Sequence, residues 1–176
     1  AGGYGLITVD QDWNVLQRHG CIPLVQQIHE NAFSDEIKGL PVKLRRRLAE
    51  SFVRYKQSAP MGVSDISEVI EGLVLKAGAE AAKKGWITNQ QARTPAGALT
   101  AMMGSNHCAN AAAAIGAAQG FITMHRNTSH HFPKNRKQAA KKYRDCKHAF
   151  LEGIKKADLF RAAMKNIGLS GNLPTA

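Results

Sequence analysis

The chain has 176 residues, a formal net charge of +11, and 44% hydrophobic but only 6% aromatic residues. This apolar content excludes a disordered tail, and the length suits one domain, residues 1–176, with a hydrophobic core. Three widely spaced cysteines exclude a disulfide scaffold and favour a reducing compartment as the site of action. No uninterrupted apolar run reaches the roughly 18 residues of a membrane span, so we expect no transmembrane segment.

The spacing of apolar residues predicts a mainly α fold, a compact single-domain bundle of about six helices. At most one short strand is expected, at residues 4–9 near the N-terminus. The first three helices are expected at residues 23–30, 42–57 and 64–84. In the third of them, Asp65 and Glu68 resemble a capping box, and Gly85 is the expected stop.

Residues 96–122 are rich in alanine and glycine and allow two interpretations. The favoured one is a tightly packed central helix whose small residues let another backbone approach closely. The other is a membrane-active hairpin. A polar, basic loop is expected at residues 124–137. Two further helices are expected at residues 138–155 and 159–167, with Gly168 at the end of the last one.

Positive charge is concentrated in the C-terminal half of the chain. Residues 89–176 hold 13 of the 24 Lys+Arg but only 3 of the 13 Asp+Glu. A field of one sign favours a polyanionic partner, which can be nucleic acid, an anionic lipid or an acidic protein. Of these we expect nucleic acid, either DNA or RNA. The candidate binding residues form two clusters in the sequence: Arg45, Arg46 and Arg47 in the first, and Arg126, Lys134, Arg136, Lys137, Lys141, Lys142 and Arg144 in the second.

Residues 128–134 read Thr-Ser-His-His-Phe-Pro-Lys. A small residue, two histidines, an apolar residue and proline in this order resemble the Ser-His-His signature of HNH/endonuclease VII-type toxin nucleases. The resemblance implies that His130 and His131 are catalytic: one binds a divalent metal and the other activates a water. The implied cofactor is Mg²⁺ or Zn²⁺, with His125 and His130 as candidate ligands.

Two functions therefore remain open. The first is a metal-dependent nuclease, a toxin domain of a larger secreted protein that is delivered to the cytoplasm and held by an acidic inhibitor protein. The alternative is a non-catalytic helical protein that packages nucleic acid, such as a coat protein within a virion, and self-assembles. Both predict salt-sensitive binding of nucleic acid. They differ in the role of His130 and His131, which the nuclease needs for cleavage and the packaging protein does not need.

Overall fold

The computed structural model describes residues 39–126 and 134–174. Within these ranges no strand occurs, which confirms the mainly α prediction. The predicted strand at residues 4–9 and helix at 23–30 lie outside the described residues. The five helices of the described part are α1 (Val42–Gln57), α2 (Ala59–Lys83), α3 (Pro95–Met103), α4 (Ala112–His125) and α5 (Arg136–Asn166), with 3₁₀ turns at Gln91–Arg93 and Asn106–Ala111.

Helix α2 lies at the centre of the bundle and contacts each of the other four helices. It buries side chains over more than half of its circumference, among them Ile66, Ile70 and Leu73, and exposes a narrower side that includes Glu68. A broad apolar face is typical of a helix that packs against several others. The other helices pack around it and share one hydrophobic cluster with it. The accessible cationic side chains of the described part therefore lie mainly on α1, the end of α4 and α5.

The helix ends follow local sequence signals. Helix α3 begins at Pro95, and its N-cap Thr94 accepts a hydrogen bond from the Gly97 N–H at 3.1 Å. Gly85 and Gly168 follow α2 and α5 with φ angles of 73° and 76°. This left-handed conformation favours glycine, so both predicted stops are confirmed.

Three predicted helix boundaries are wrong. Helix α2, expected to begin at residue 64, begins at Ala59, since its first turn accommodates Pro60. The helices expected at 138–155 and 159–167 form one continuous helix, α5, because the intervening residues contain no proline or glycine and Ala157 is fully buried in the core. The segment 96–122 is divided between α3, a 3₁₀ turn and α4 rather than forming one helix. Its small residues do pack closely, since Ala98, Ala114 and Ala118 are buried.

None of the helices found in residues 39–126 and 134–174 has both the length and the hydropathy that crossing a bilayer requires. Beyond α5 the chain turns back onto α2. Leu169 is buried, the Ser170 N–H donates to Glu80 Oε2 at 2.5 Å, and Leu173 lies beside Gly72. These contacts hold the end of α5 against the centre of the bundle.

Candidate nucleic-acid interface

Helix α5 begins a few residues after the histidine pair, and its first turn is fixed by two side chains. The Asn135 side-chain oxygen accepts from the Gln138 N–H at 2.9 Å, and Gln138 Oε1 accepts from the Lys134 N–H at 2.8 Å. These reciprocal bonds satisfy two backbone donors at the N-terminus, as in a capping box. The start of the helix is thereby set, and so are the positions of the cations on its first turns.

The first turns of α5 present most of the second predicted cluster to solvent. Lys134, Arg136, Lys137, Lys141 and Arg144 are exposed, and none of them pairs with a carboxylate of a described residue. We call these five residues the α5 cationic surface. Basic residues near a helix N-terminus are unfavourable because the helix dipole is positive there, and no acidic residue occupies the first turn of α5. The resulting field is suited to a polyanion.

Arg126 lies at the other side of the predicted loop, just after α4. Its backbone oxygen accepts a hydrogen bond from Ser64 Oγ at 2.7 Å, and its Nε lies 3.3 Å from Glu71 Oε1. Both partners belong to α2. The Arg126 side chain is nevertheless 64% exposed, whereas that of Glu71 is 15% exposed. The end of α4 is therefore fixed on the central helix while part of the guanidinium remains accessible.

A cavity of about 390 Å³ lies between the end of α4 and the start of α5. The His125 ring packs against Phe121 at 4.6 Å between ring centroids. Burial, and secondarily the charge of Lys156, lowers the pKa of His125 below its ordinary value. Burial raises the pKa of the Cys146 thiol. The lining residues are Met124, His125, Gln138, Lys141, Lys142, Asp145 and Cys146.

The first predicted cluster has a different structural setting. Arg45 is half-buried and Arg46 is exposed. Arg47 is bound by the carboxylate of Asp65 at 2.9 Å and that of Glu50 at 3.1 Å. Burial acts to lower the pKa of Arg47, but the two carboxylates outweigh it and raise the pKa. Arg47 therefore contributes less free positive charge to the surface than the sequence suggests.

Asp65 joins α1 to α2 and does not act as a helix cap. It lies inside α2, with its side chain 1% exposed, so the predicted capping box is wrong. Its Oδ1 accepts from Arg47 at 2.9 Å and from Arg54 at 3.0 Å, and its Oδ2 accepts from Ser51 Oγ at 2.5 Å. The buried charge is thus paired and hydrogen-bonded, which its burial requires.

The two predicted catalytic residues, His130 and His131, lie outside the described residues. Of the predicted metal ligands, only His125 is described. Across the two described ranges, no three His, Cys, Asp or Glu side chains are grouped closely enough to hold a metal ion. The structure brings His125 together with Lys141 and Lys142 at the cavity, where burial favours the neutral imidazole, the form that can bind a metal.

The cavity also contains residues that the sequence analysis did not single out: Met124, Gln138, Asp145 and Cys146. Gln138, Asp145 and Cys146 share one face of α5 through their i, i+7 and i+8 spacing, and the packing of α4 beside α5 brings Met124 to them. One signal was available in the sequence, because Met124 is a large apolar residue at the edge of a polar, basic segment.

The chain matches no known family model, no curated protein and no solved structure.

Proposed function

We propose that the chain is a metal-dependent nuclease that binds nucleic acid on the α5 cationic surface and cleaves it with His130 and His131. The observation that supports this is the exposure of Lys134, Arg136 and Lys137, directly downstream of the two histidines in the chain. A phosphate held by these cations is bound only a few residues from the two imidazoles. The toxin-domain origin and an acidic inhibitor protein belong to the same proposal.

Each group has a defined task in this reaction. The α5 cationic surface binds and orients the phosphodiester, and Arg126 offers a further cation at the end of α4. One imidazole of the pair accepts a proton from a water molecule while the water oxygen bonds to phosphorus. The ester P–O bond breaks, and the leaving alkoxide oxygen takes up a proton from bulk water. A bound Mg²⁺ or Zn²⁺ supplies positive charge that offsets the charge on the phosphate. His125 and His130 are the proposed ligands.

Cleavage is tested by incubating the purified chain with plasmid DNA and with total RNA, with Mg²⁺, with Zn²⁺ or with EDTA. We expect metal-dependent fragments, and a loss of at least about a hundredfold in rate for His130→Ala and for His131→Ala, since removing a catalytic base costs this much. His148→Ala is the matched control because His148 is an exposed histidine farther along α5. If His148→Ala also abolishes cleavage, the assignment of catalysis to His130 and His131 would be contradicted.

Binding is tested separately by fluorescence anisotropy at several salt concentrations. The double variant Lys141→Glu, Arg144→Glu should lower the magnitude of the slope of log K against log salt by about 1 to 2, since each phosphate contact contributes about 0.7 to 0.9. Lys155→Glu, on an exposed residue farther along the same helix, is the control. If nucleic acid is bound but stays intact, and both histidine variants are silent, the packaging function replaces the nuclease.

A further inference from the structure

The cavity between α4 and α5 has the size and the lining of a small-ligand site. Its volume of about 390 Å³ falls within the range of roughly 300–1,000 Å³ that is typical of such sites. Ligand sites are usually apolar with a few polar groups that fix orientation. Here Met124 supplies an apolar side chain, while Gln138 and Asp145 supply hydrogen-bonding groups. The cavity therefore suits a small molecule with both apolar and hydrogen-bonding groups.

Met124 is the feature of this site that the fold does not explain. Its side chain is 76% exposed, the highest fraction among the exposed large hydrophobic residues of the described part. Exposed methionine is common on binding surfaces because its flexible thioether adapts to different partners. The neighbouring Phe121 and Ile122 are buried in the core, so α4 does not need Met124 for its packing.

One polar side chain of the cavity, that of Gln138, is held in place by a hydrogen bond. Gln138 Oε1 is occupied by the Lys134 N–H, which fixes the side-chain amide and leaves its NH₂ group as a donor outside that bond. Asp145 offers carboxylate oxygens as acceptors, which suit the amino groups of nucleobases. Lys141 belongs both to the cavity and to the α5 cationic surface. A ligand in the cavity therefore lies beside bound phosphate.

We infer that this cavity receives one unpaired base of a single-stranded nucleic acid, whose phosphates lie on the α5 cationic surface. The inference rests on the proposed function and specifies its substrate class. A base inside a duplex is stacked and paired, so its edge cannot enter a cavity unless the base is first extruded. A strand fits better than a free nucleotide because the cations from Arg136 to Arg144 extend over about 12 Å of helix, more than one phosphate covers.

The test compares a fluorescent 12-nucleotide single strand with a duplex of the same sequence, in DNA and in RNA, in EDTA. We expect the wild-type chain to bind the single strand more tightly. Met124→Ala should weaken single-strand binding about five- to tenfold, the lower end of the effect of removing an aromatic stacking partner of one base, and should leave duplex binding unchanged. Met124→Phe, which keeps an apolar surface for the base, should retain the preference.

Met103→Ala is the matched control, since Met103 is also an exposed methionine but lies on α3, outside the cavity. Equal binding of single strand and duplex by the wild type, or the same loss in Met103→Ala, would overturn the inference while leaving the proposed function intact. If a mononucleotide competes for the protein as well as the unlabelled single strand does, the inference that the ligand is a strand would be overturned. Absence of binding to every nucleic acid would overturn the proposed function itself.

Discussion

Replacing Asp65 by asparagine removes one negative charge from the buried contact between α1 and α2 and changes the shape of the side chain very little. In the native protein Asp65 is 1% exposed and accepts hydrogen bonds from Arg47, Arg54 and Ser51. In the variant, a neutral amide with a single oxygen faces two guanidinium groups, and its NH₂ can donate only to Ser51 Oγ, whose own O–H then donates to the Arg47 carbonyl 3.0 Å away. We therefore expect the contact between α1 and α2 to be strongly destabilised in the variant.

The size of the effect follows from the exposure of the partners. Removing one partner of a fully buried ion pair costs about 3–5 kcal/mol, because the other charge is left uncompensated. Here the side chains of Arg47 and Arg54 are 30% and 51% exposed, so both regain hydration. Arg47 also keeps Glu50 at 3.1 Å. We therefore expect Asp65→Asn to lower the free energy of unfolding by about 2–3 kcal/mol, which corresponds to about 5–10 °C in Tm.

Urea denaturation followed by circular dichroism measures this loss. Glu50→Gln is the control because it removes a carboxylate from the same arginine at a site that is 47% exposed, and exposed pairs contribute at most about 1 kcal/mol. A double-mutant cycle combines Asp65→Asn with Arg54→Gln. In the Asp65→Asn background, Arg54→Gln should lower the free energy of unfolding very little. If Asp65→Asn costs no more than Glu50→Gln, the buried carboxylate does not hold the two helices together and the reasoning fails.

Two further predictions concern glycine and histidine. Gly62→Ala places a methyl group against the backbone of Tyr55 and should lower the unfolding free energy by about 1–3 kcal/mol. Gly120→Ala, with nothing within 4 Å, should raise it by about 0.5–1 kcal/mol. Urea titrations of both variants check the opposite signs. Because burial and Lys156 lower the pKa of His125, the unfolded chain takes up a proton at a higher pH than the folded one. Stability should therefore fall as the pH drops below about 6.5 and level off below the folded pKa. His125→Phe should remove that part of the pH dependence, and an unchanged profile would contradict the assignment.

The sequence predicted the helix faces and several helix ends correctly, among them both ends of α1, but not how the segments 96–122 and 138–167 divide into helices. Leu44 and Leu48 of α1 are fully buried, as their helical spacing predicts. The break expected between residues 155 and 159 of α5 does not occur, because no proline or glycine lies there and Ala157 is buried in the core. Gly153 lies inside the helix, where an added Cβ would come within 2.6 Å of Ile66 and Phe121. Glycine there permits close contact and does not end the helix.

The role of Asp65 was accessible in principle but needed a tertiary argument. Arg47, Ser51 and Arg54 are spaced i, i+4 and i+7, which places all three on one face of α1. A donor-rich helical face is compatible with solvent, with phosphate or with a buried anion. Only the packing of α1 against α2 shows that Asp65 takes up these donors. The two arginine-rich clusters look alike in sequence, but the first is partly used to hold the fold together.

The cations at the start of α5 lead to a prediction in which stability and binding change in opposite directions. Lys137 is exposed in the first turn, where the helix dipole favours a negative charge. Lys137→Glu should therefore raise the free energy of unfolding by about 0.3–1 kcal/mol and weaken the binding of nucleic acid at low salt. Lys137→Gln should give intermediate values of both. A purely structural role for this lysine predicts that stability falls in these variants. Urea denaturation and oligonucleotide anisotropy are measured on the wild type, Lys137→Gln and Lys137→Glu. If Lys137 binds nucleic acid, affinity should fall across this series while the free energy of unfolding rises.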